Sequence, residues 1–151
     1  VIMNRFITDP QSFLAVVDSW KGTPFRHHSG VKGIGVDCVH FIEGVLSELK
    51  YPPKIPFPGI VDYTIDYMID HDYSLMLQEF NKYLRLRRIL RSELQVGDLL
   101  AFKVKKTQSH AGFYYGNKQF IHGENEHGVK VSNLRDLFWK RGLTDSFVLE
   151  V

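Results

Sequence analysis

One cysteine stands in the whole chain, at position 38, so no intramolecular disulfide can staple the fold and no zinc site built from several thiolates is available. That leaves the redox compartment open. The longest apolar stretches, such as Phe13 to Val17 and Leu99 to Phe102, fall far short of the roughly 18 to 20 residues that a membrane-crossing helix needs. Internal repeats, low-complexity tracts and Gly/Ser-rich linkers are missing too, and the only proline cluster is Pro52, Pro53, Pro56 and Pro58. Charge of one sign is equally scarce. The 19 Lys and Arg against 17 Asp and Glu leave +2, without the concentrated basic stripe that a nucleic-acid partner would call for. The N-terminal Val1-Ile2-Met3-Asn4-Arg5 has no basic segment followed by an apolar run, so no secretory signal is visible.

What is present suits one globular domain over residues 1–151. At 44% hydrophobic and 13% aromatic, a chain of this length buries roughly two-thirds of its unfolded surface, which excludes disorder as its main state. Asp9-Pro10 is a helix start, with aspartate as cap and proline in the first helical position. Phe13, Val16, Val17 and Trp20 then share a face until Gly22 and Pro24 end the helix. After a loop punctuated by Gly30, Gly33 and Gly35, the segment Asp37 to Leu49 sets Phe41, Ile42, Val45, Leu46 and Leu49 on one stripe behind Asp37 as cap. Beyond the prolines, Asp62 to Leu86 reads as one or two helices, broken near Asp72-Tyr73-Ser74, with Tyr63 and Tyr67 four apart. It ends in Arg85, Arg87, Arg88 and Arg91, where a helix dipole favours cations.

The pattern changes at Gly97-Asp98. Short antiparallel strands are expected at Leu99 to Val104, His110 to Tyr115, Gln119 to His122, Val129 to Val131 and Phe147 to Val151, with Gly116-Asn117-Lys118 as a hairpin connection. Ser132 or Asn133 is a cap for a short helix through Trp139 that stops at Gly142. Helices first and a small sheet after make the class α+β.

Chemistry concentrates around three residues. Cys38 follows its helix cap directly, so its sulfur sits where unpaired N–H groups and the helix dipole favour a thiolate. An unperturbed thiol is only a few per cent ionised at neutral pH, so a histidine is needed as well. His110 opens a strand, and His122, twelve residues on, ends the next strand of the same hairpin, which brings the two onto neighbouring strands. Taken singly, the cysteine suits a structural thiol and each histidine suits a satisfied interior group; the set of three is the generic pattern of a thiol hydrolase. His27, His28, His40 and His127 with Cys38 have the spacing of no known metal site, so no metal or organic cofactor is expected. The glycines at 30, 33 and 35 fit neither a dinucleotide fingerprint nor a phosphate loop.

The flanking residues sharpen this. Trp20-Lys21-Gly22-Thr23-Pro24-Phe25-Arg26, Gly35-Val36-Asp37-Cys38, Gly97-Asp98-Leu99-Leu100, Ser109-His110-Ala111-Gly112 and Phe120-Ile121-His122 occur in this order from Trp20 to the C-terminal part. Together they resemble the NlpC-type family of papain-like cysteine peptidases. His27 to Gly35 look most similar to its phage-encoded branch, whose members cut bacterial cell walls. The resemblance implies a papain-like α+β fold, Cys38 as nucleophile, His110 as general base and acid, and His122 as the third polar residue orienting His110. Its implied substrate is the peptidoglycan stem peptide, cut between γ-D-glutamyl and a diamino acid, with phage tail or virion proteins as partners. Substrate-facing positions are Phe25, Arg26, Asp37, His40 and Ser109, with Arg26 as a carboxylate clamp. Two departures stand out. Phe25 replaces the usual tyrosine and removes a hydroxyl near the nucleophile, and Val39-His40 replace the usual serine and glycine, so that His40 reshapes the substrate groove. A thiol acyltransferase or deamidase of the same fold, and a non-catalytic tail or wall-binding module, remain as alternatives.

Overall fold

The computed structural model describes residues 4–59, 72–104 and 108–151. Helix α1 (Pro10–Trp20) starts as its sequence dictates, with the Asp9 carboxylate accepting from the Gln11 N–H at 3.1 Å and Pro10 in the first turn. It buries Phe13, Val17 and Trp20. A two-stranded hairpin, β1 (Gly30–Val31) with β2 (Gly35–Val36), occupies the glycine loop and leads straight into α2 (Cys38–Glu48). Asp37 caps α2 by accepting from the His40 N–H at 2.8 Å, and Phe41, Ile42, Val45 and Leu46 form its buried stripe.

Helix α3 (Tyr73–Tyr83) begins at its own cap, Asp72, at the break expected there. The expectation that this helix continues to Leu86 is corrected, because it stops at Tyr83 and Arg85–Ile89 form an edge strand, β3. Leu86 pairs with Leu149 and Ile89 with Ser146 on β8 (Leu143–Glu150), so the open edge of β8 wins over any local helical preference. The arginines at 85, 87 and 88 thus guard a sheet edge instead of a helix C-terminus, a use of charge that discourages edge-to-edge pairing. Arg91 belongs to a 3₁₀ turn, Arg91–Glu93. The helical expectation at 62–71, with Tyr63 and Tyr67, lies outside the described residues.

The remaining strands are β4 (Leu99–Val104), β5 (Gln108–Gly116), β6 (Gln119–Glu124) and β7 (Gly128–Asn133), and the six-stranded antiparallel order is β3-β8-β4-β5-β6-β7. Asn117 and Lys118, at φ of 52° and 57°, make the two-residue turn that joins β5 to β6. The short helix α4 (Leu137–Gly142) is capped by Asp136, correcting the expected Ser132 or Asn133, both of which lie on β7.

Side chains alternate along each strand, and the sheet therefore carries two apolar faces. On one, Leu99, Ala101, Ala111, Phe113 and Ile121 pack against all three long helices, with Phe113 meeting Phe13 of α1 and Phe41 of α2 at ring separations of 5.3 and 6.0 Å. On the other, Leu100, Phe102, Val104, Phe120 and Leu143 lie under Trp139 of α4. No helix among the described residues is long and apolar enough to cross a membrane.

Candidate active site

The corner before Cys38 is tied down on several sides. Val36 donates its N–H to Pro24 at 2.9 Å while Arg26 donates back to Val36 at 3.2 Å, so the strand leading to the cysteine runs beside Phe25. The Ser29 hydroxyl donates to the Gly35 carbonyl at 2.6 Å. Asp37, almost fully buried, is the hub: its carboxylate accepts from the His28 N–H at 3.2 Å and the His40 N–H at 2.8 Å, and both oxygens lie 2.8 Å from His40 Nδ1. A buried carboxylate with this many donors is satisfied, and it fixes the first turn of α2 on which Cys38 sits.

Cys38 itself is buried, and Gly123 of the interior strand β6 runs beside it. A Cβ added at Gly123 would stand 3.4 Å from the Asp37 carbonyl oxygen and 3.7 Å from Cys38 Cα, so the residue after His122 lies directly against the start of α2. Those are ordinary van der Waals distances, so the β6 backbone at 123 runs alongside the first turn of α2.

His110 and His122 form a closed pair. Both face the second side of the sheet, diagonal to one another on β5 and β6, and His110 Nε2 lies 2.6 Å from His122 Nδ1 with the ring planes 84° apart. His122 Nε2 in turn lies 2.7 Å from the Ser132 hydroxyl on β7, and 3.9 Å from the Glu124 carboxylate. Trp139 packs against both imidazoles, and Phe102 and Phe120 complete the surround. Burial pushes the His110 imidazole down to about 4 and holds His122 well below its ordinary range, the latter helped by the nearby His110 and Lys130. Both rings are therefore neutral near pH 7, as a single N–H···N bond between them demands.

Of the other expected positions, Phe25 is half-buried with its ring 5.0 Å from that of His27, and Arg26 is exposed, its alkyl stem lying over Gly35. His40 is buried with its ring on Asp37, and Ser109 is buried on β5. A cleft of about 340 Å³ begins at Val39 and His40 and runs between α2 and α3, walled by Ile42, Glu43, Phe57 and Phe80. Sequence reading missed Ser132, Gly123 and Trp139. Ser132 became legible only through register, since it pairs with Phe120 and so shares the face of His122. Among the described residues no three His, Cys, Asp or Glu side chains gather as a metal cluster.

A thiol at a helix start next to a strand pair carrying coupled imidazoles, on an antiparallel sheet with its three long helices on one face and a short one on the other, defines a papain-like α+β domain. A profile of the NlpC/P60 family matches residues 22–148, and the chain belongs to that family. It is 29% identical over 122 residues to the murein DD-endopeptidase MepS/murein LD-carboxypeptidase of Escherichia coli K12, covering 81% of this chain and 53% of the relative. This chain thus spans about half the length of that curated relative. Among solved structures, an NLP/P60 family protein similar to a lipoprotein from Staphylococcus aureus superposes with a TM-score of 0.66 at 17% identity, over 99% of this chain and 45% of the other. RipD of Mycobacterium tuberculosis, described as a non-catalytic NlpC/p60 domain protein adapted to peptidoglycan binding, superposes with a TM-score of 0.56 at 18% identity, over 92% and 95% of the two chains. Both likenesses concern the fold.

Proposed function

We propose that residues 1–151 form one catalytic domain, a cysteine peptidase that hydrolyses amide bonds in bacterial peptidoglycan stem peptides. The observation that carries this reading is the buried 2.6 Å contact between His110 and His122 on the strand pair that abuts the Cys38 end of α2. A wall-binding module has no need of two neutral imidazoles sharing one proton away from solvent. Cys38 is the nucleophile, His110 the base and acid, and His122 the residue that orients His110.

The tautomers follow from the geometry. With His110 Nε2–H donating to His122 Nδ1 and His122 Nε2–H donating to Ser132, the lone pair of His110 is left on Nδ1, the nitrogen assigned to the thiol. His110 Nδ1 takes the Cys38 proton and the thiolate attacks the amide carbonyl, forming the C–S bond. The Cys38 backbone N–H, in the first turn of α2, stabilises the oxyanion. Collapse breaks the C–N bond as imidazolium protonates the leaving amine. Water then gives its proton to His110, forms the C–O bond of the free carboxylate, and expels the Cys38 sulfur. The buried Asp37 and His40 keep the helix start rigid while charge moves on and off the sulfur.

The bond between γ-D-glutamyl and a diamino acid is the proposed target, with the half-buried Phe25 and exposed Arg26 as substrate-facing residues, whereas Asp37, His40 and Ser109 are buried and serve the site from within. The finer placement on the phage-encoded branch, with tail or virion proteins as partners, is supported by residues 27–35 alone. The test is mass spectrometry of purified peptidoglycan after incubation with the wild-type chain and with Cys38→Ala. New fragments carrying free diamino-acid amines, absent from the variant digest, are expected. The E. coli relative is named for DD and LD bonds, so fragment masses also decide which bond is cut. Wall binding without cleavage across several wall chemotypes, by folded protein with Cys38 reduced, would overturn the reading in favour of a module like RipD, and transfer products in place of a free carboxylate would turn it into an acyltransferase.

A further inference from the structure

We propose that Trp139 is a positioning residue for this chemistry: its indole roofs the hydrogen bond between His110 and His122, keeps water out of it, and fixes the planes of both imidazoles. The inference rests on the peptidase reading for its kinetic consequence only.

The indole touches both rings at once. Its centroid lies 5.4 Å from that of His110 with the planes 34° apart, a tilted stack, and 5.0 Å from that of His122 at 79°, an edge contact. Behind it, Phe102 and Phe120 meet it edge-on at 5.4 and 5.2 Å, so the indole is wedged and cannot slide off the pair. The helix that carries it makes little other use of its apolar residues. Leu137 and Phe138 are 55% and 51% exposed, and only Trp139 of these three turns inward. This six-residue helix leaves Leu137 and Phe138 half exposed, Phe138 edge-on to the indole at 4.9 Å, and turns Trp139 inward onto the two histidines and their flanking phenylalanines.

The chemistry around the pair makes a roof consequential. The titratable and charged groups about it are Cys38 at the start of α2, Glu124 on β6 at 3.9 Å from His122 Nε2, Lys130 on β7 opposite His122 in register, and the exposed Lys140 and Arg141 on α4 itself. With the indole in place, the faces of the imidazoles see aromatic carbon, and the proton on His110 Nε2 has one acceptor, His122. With it gone, water competes for that proton, the His110 ring rotates, and its Nδ1 lone pair leaves the line to the thiol. Solvation also stabilises the imidazolium, so both rings take up protons at higher pH.

The experiment has an arm that needs no turnover. Imidazole resonances of the seven histidines are followed by pH titration in wild type, Trp139→Leu and Trp139→Phe, with His110→Gln and His122→Gln used for assignment. Expected is a wild-type pair that stays neutral through pH 5 and a Trp139→Leu pair that titrates about one unit higher. Trp139→Phe, with a smaller roof of the same kind, gives a smaller shift of the same sign and also serves if the leucine variant does not fold. In the peptidoglycan assay, Trp139→Leu lowers kcat about tenfold with KM within twofold, and moves the acid limb of kcat/KM upward, while phenylalanine restores most of kcat. Unmoved His110 and His122 resonances in a folded variant overturn the proposal, as does a fall in activity with no change in pH profile, which would mark a purely structural residue. An inactive wild type would instead defeat the peptidase reading and leave the titration to decide the role of Trp139.

Discussion

Ser132 closes the hydrogen-bonded line that begins at His110. The hydroxyl accepts the outer proton of His122, and the next acceptor, the Glu124 carboxylate, is 3.9 Å away, beyond hydrogen-bond range. Replacing Ser132 with alanine leaves a buried N–H without a partner, which costs about 1–3 kcal/mol. It also frees His122 to move its proton to Nδ1, where it faces the proton of His110 Nε2 and breaks the line. The expected result is a Ser132→Ala protein less stable by about that amount in denaturant titration and slower in kcat by about tenfold, with Ser132→Thr close to wild type. Wild-type kcat in the alanine variant would show that the serine only packs. Cys38, His110 and His122 were legible in the sequence because nucleophile and base types recur at motif spacing. Ser132 was not, because a serine just ahead of a short helix looks like a cap, and only the β6–β7 register shows which way it faces.

Elements whose boundaries are local were legible, and those decided by a distant partner were not. α1 and α2 announce themselves through Asp9-Pro10 and Asp37, and the β5–β6 hairpin through Asn117 after Gly116. β3 carries no such mark. Arg85-Leu86-Arg87-Arg88-Ile89 is compatible with a helix end until β8, whose paired residues lie 57 to 65 positions further along the chain, offers an open edge, and only the tertiary pairing settles it. The hairpin also explains Gly112, whose place in the Ser109-His110-Ala111-Gly112 motif the sequence could show without a reason. A Cβ there would lie 2.8 Å from the Ile121 carbonyl oxygen and 3.1 Å from His122 Cβ, against backbone that cannot yield without moving β6 from β5. Gly112→Ala should therefore part His110 from His122 and abolish most turnover while circular dichroism still reports a folded chain. Gly123→Ala, whose nearest contacts are ordinary ones of 3.4 to 3.7 Å, should keep activity within a few-fold. Equal losses in the two variants would show that strand spacing is not what glycine secures at position 112.

Across the whole molecule, one sheet serves two cores, and the cost of putting the histidine pair in the smaller of them falls on stability in acid. His110 titrates at about 4 in the folded protein against 6.5 ordinarily, and His122 is also lowered, both chiefly by burial. Between those values the unfolded chain binds protons that the folded chain refuses, so unfolding takes up protons and stability rises with pH. Their contribution is complete above about pH 6.5 and is lost progressively as pH falls toward 4. Asp98 works the other way. Its carboxyl, paired with Arg5 but buried, is raised from 3.8 by desolvation, so its ionisation weakens the folded state as pH rises through the window just above that value. One partly compensated carboxyl acting at the acid end does not cancel two imidazoles acting from 6.5 downward. Guanidinium titrations from pH 7.5 to pH 5 should accordingly show the midpoint falling while the slope stays constant. In a His110→Gln, His122→Gln double variant the fall should be much smaller, because glutamine has no proton to refuse. A wild-type midpoint that is flat over this range, or one that falls as steeply in the double variant, would mean that the pair is solvated in the folded protein and that the second core does not exclude water from it.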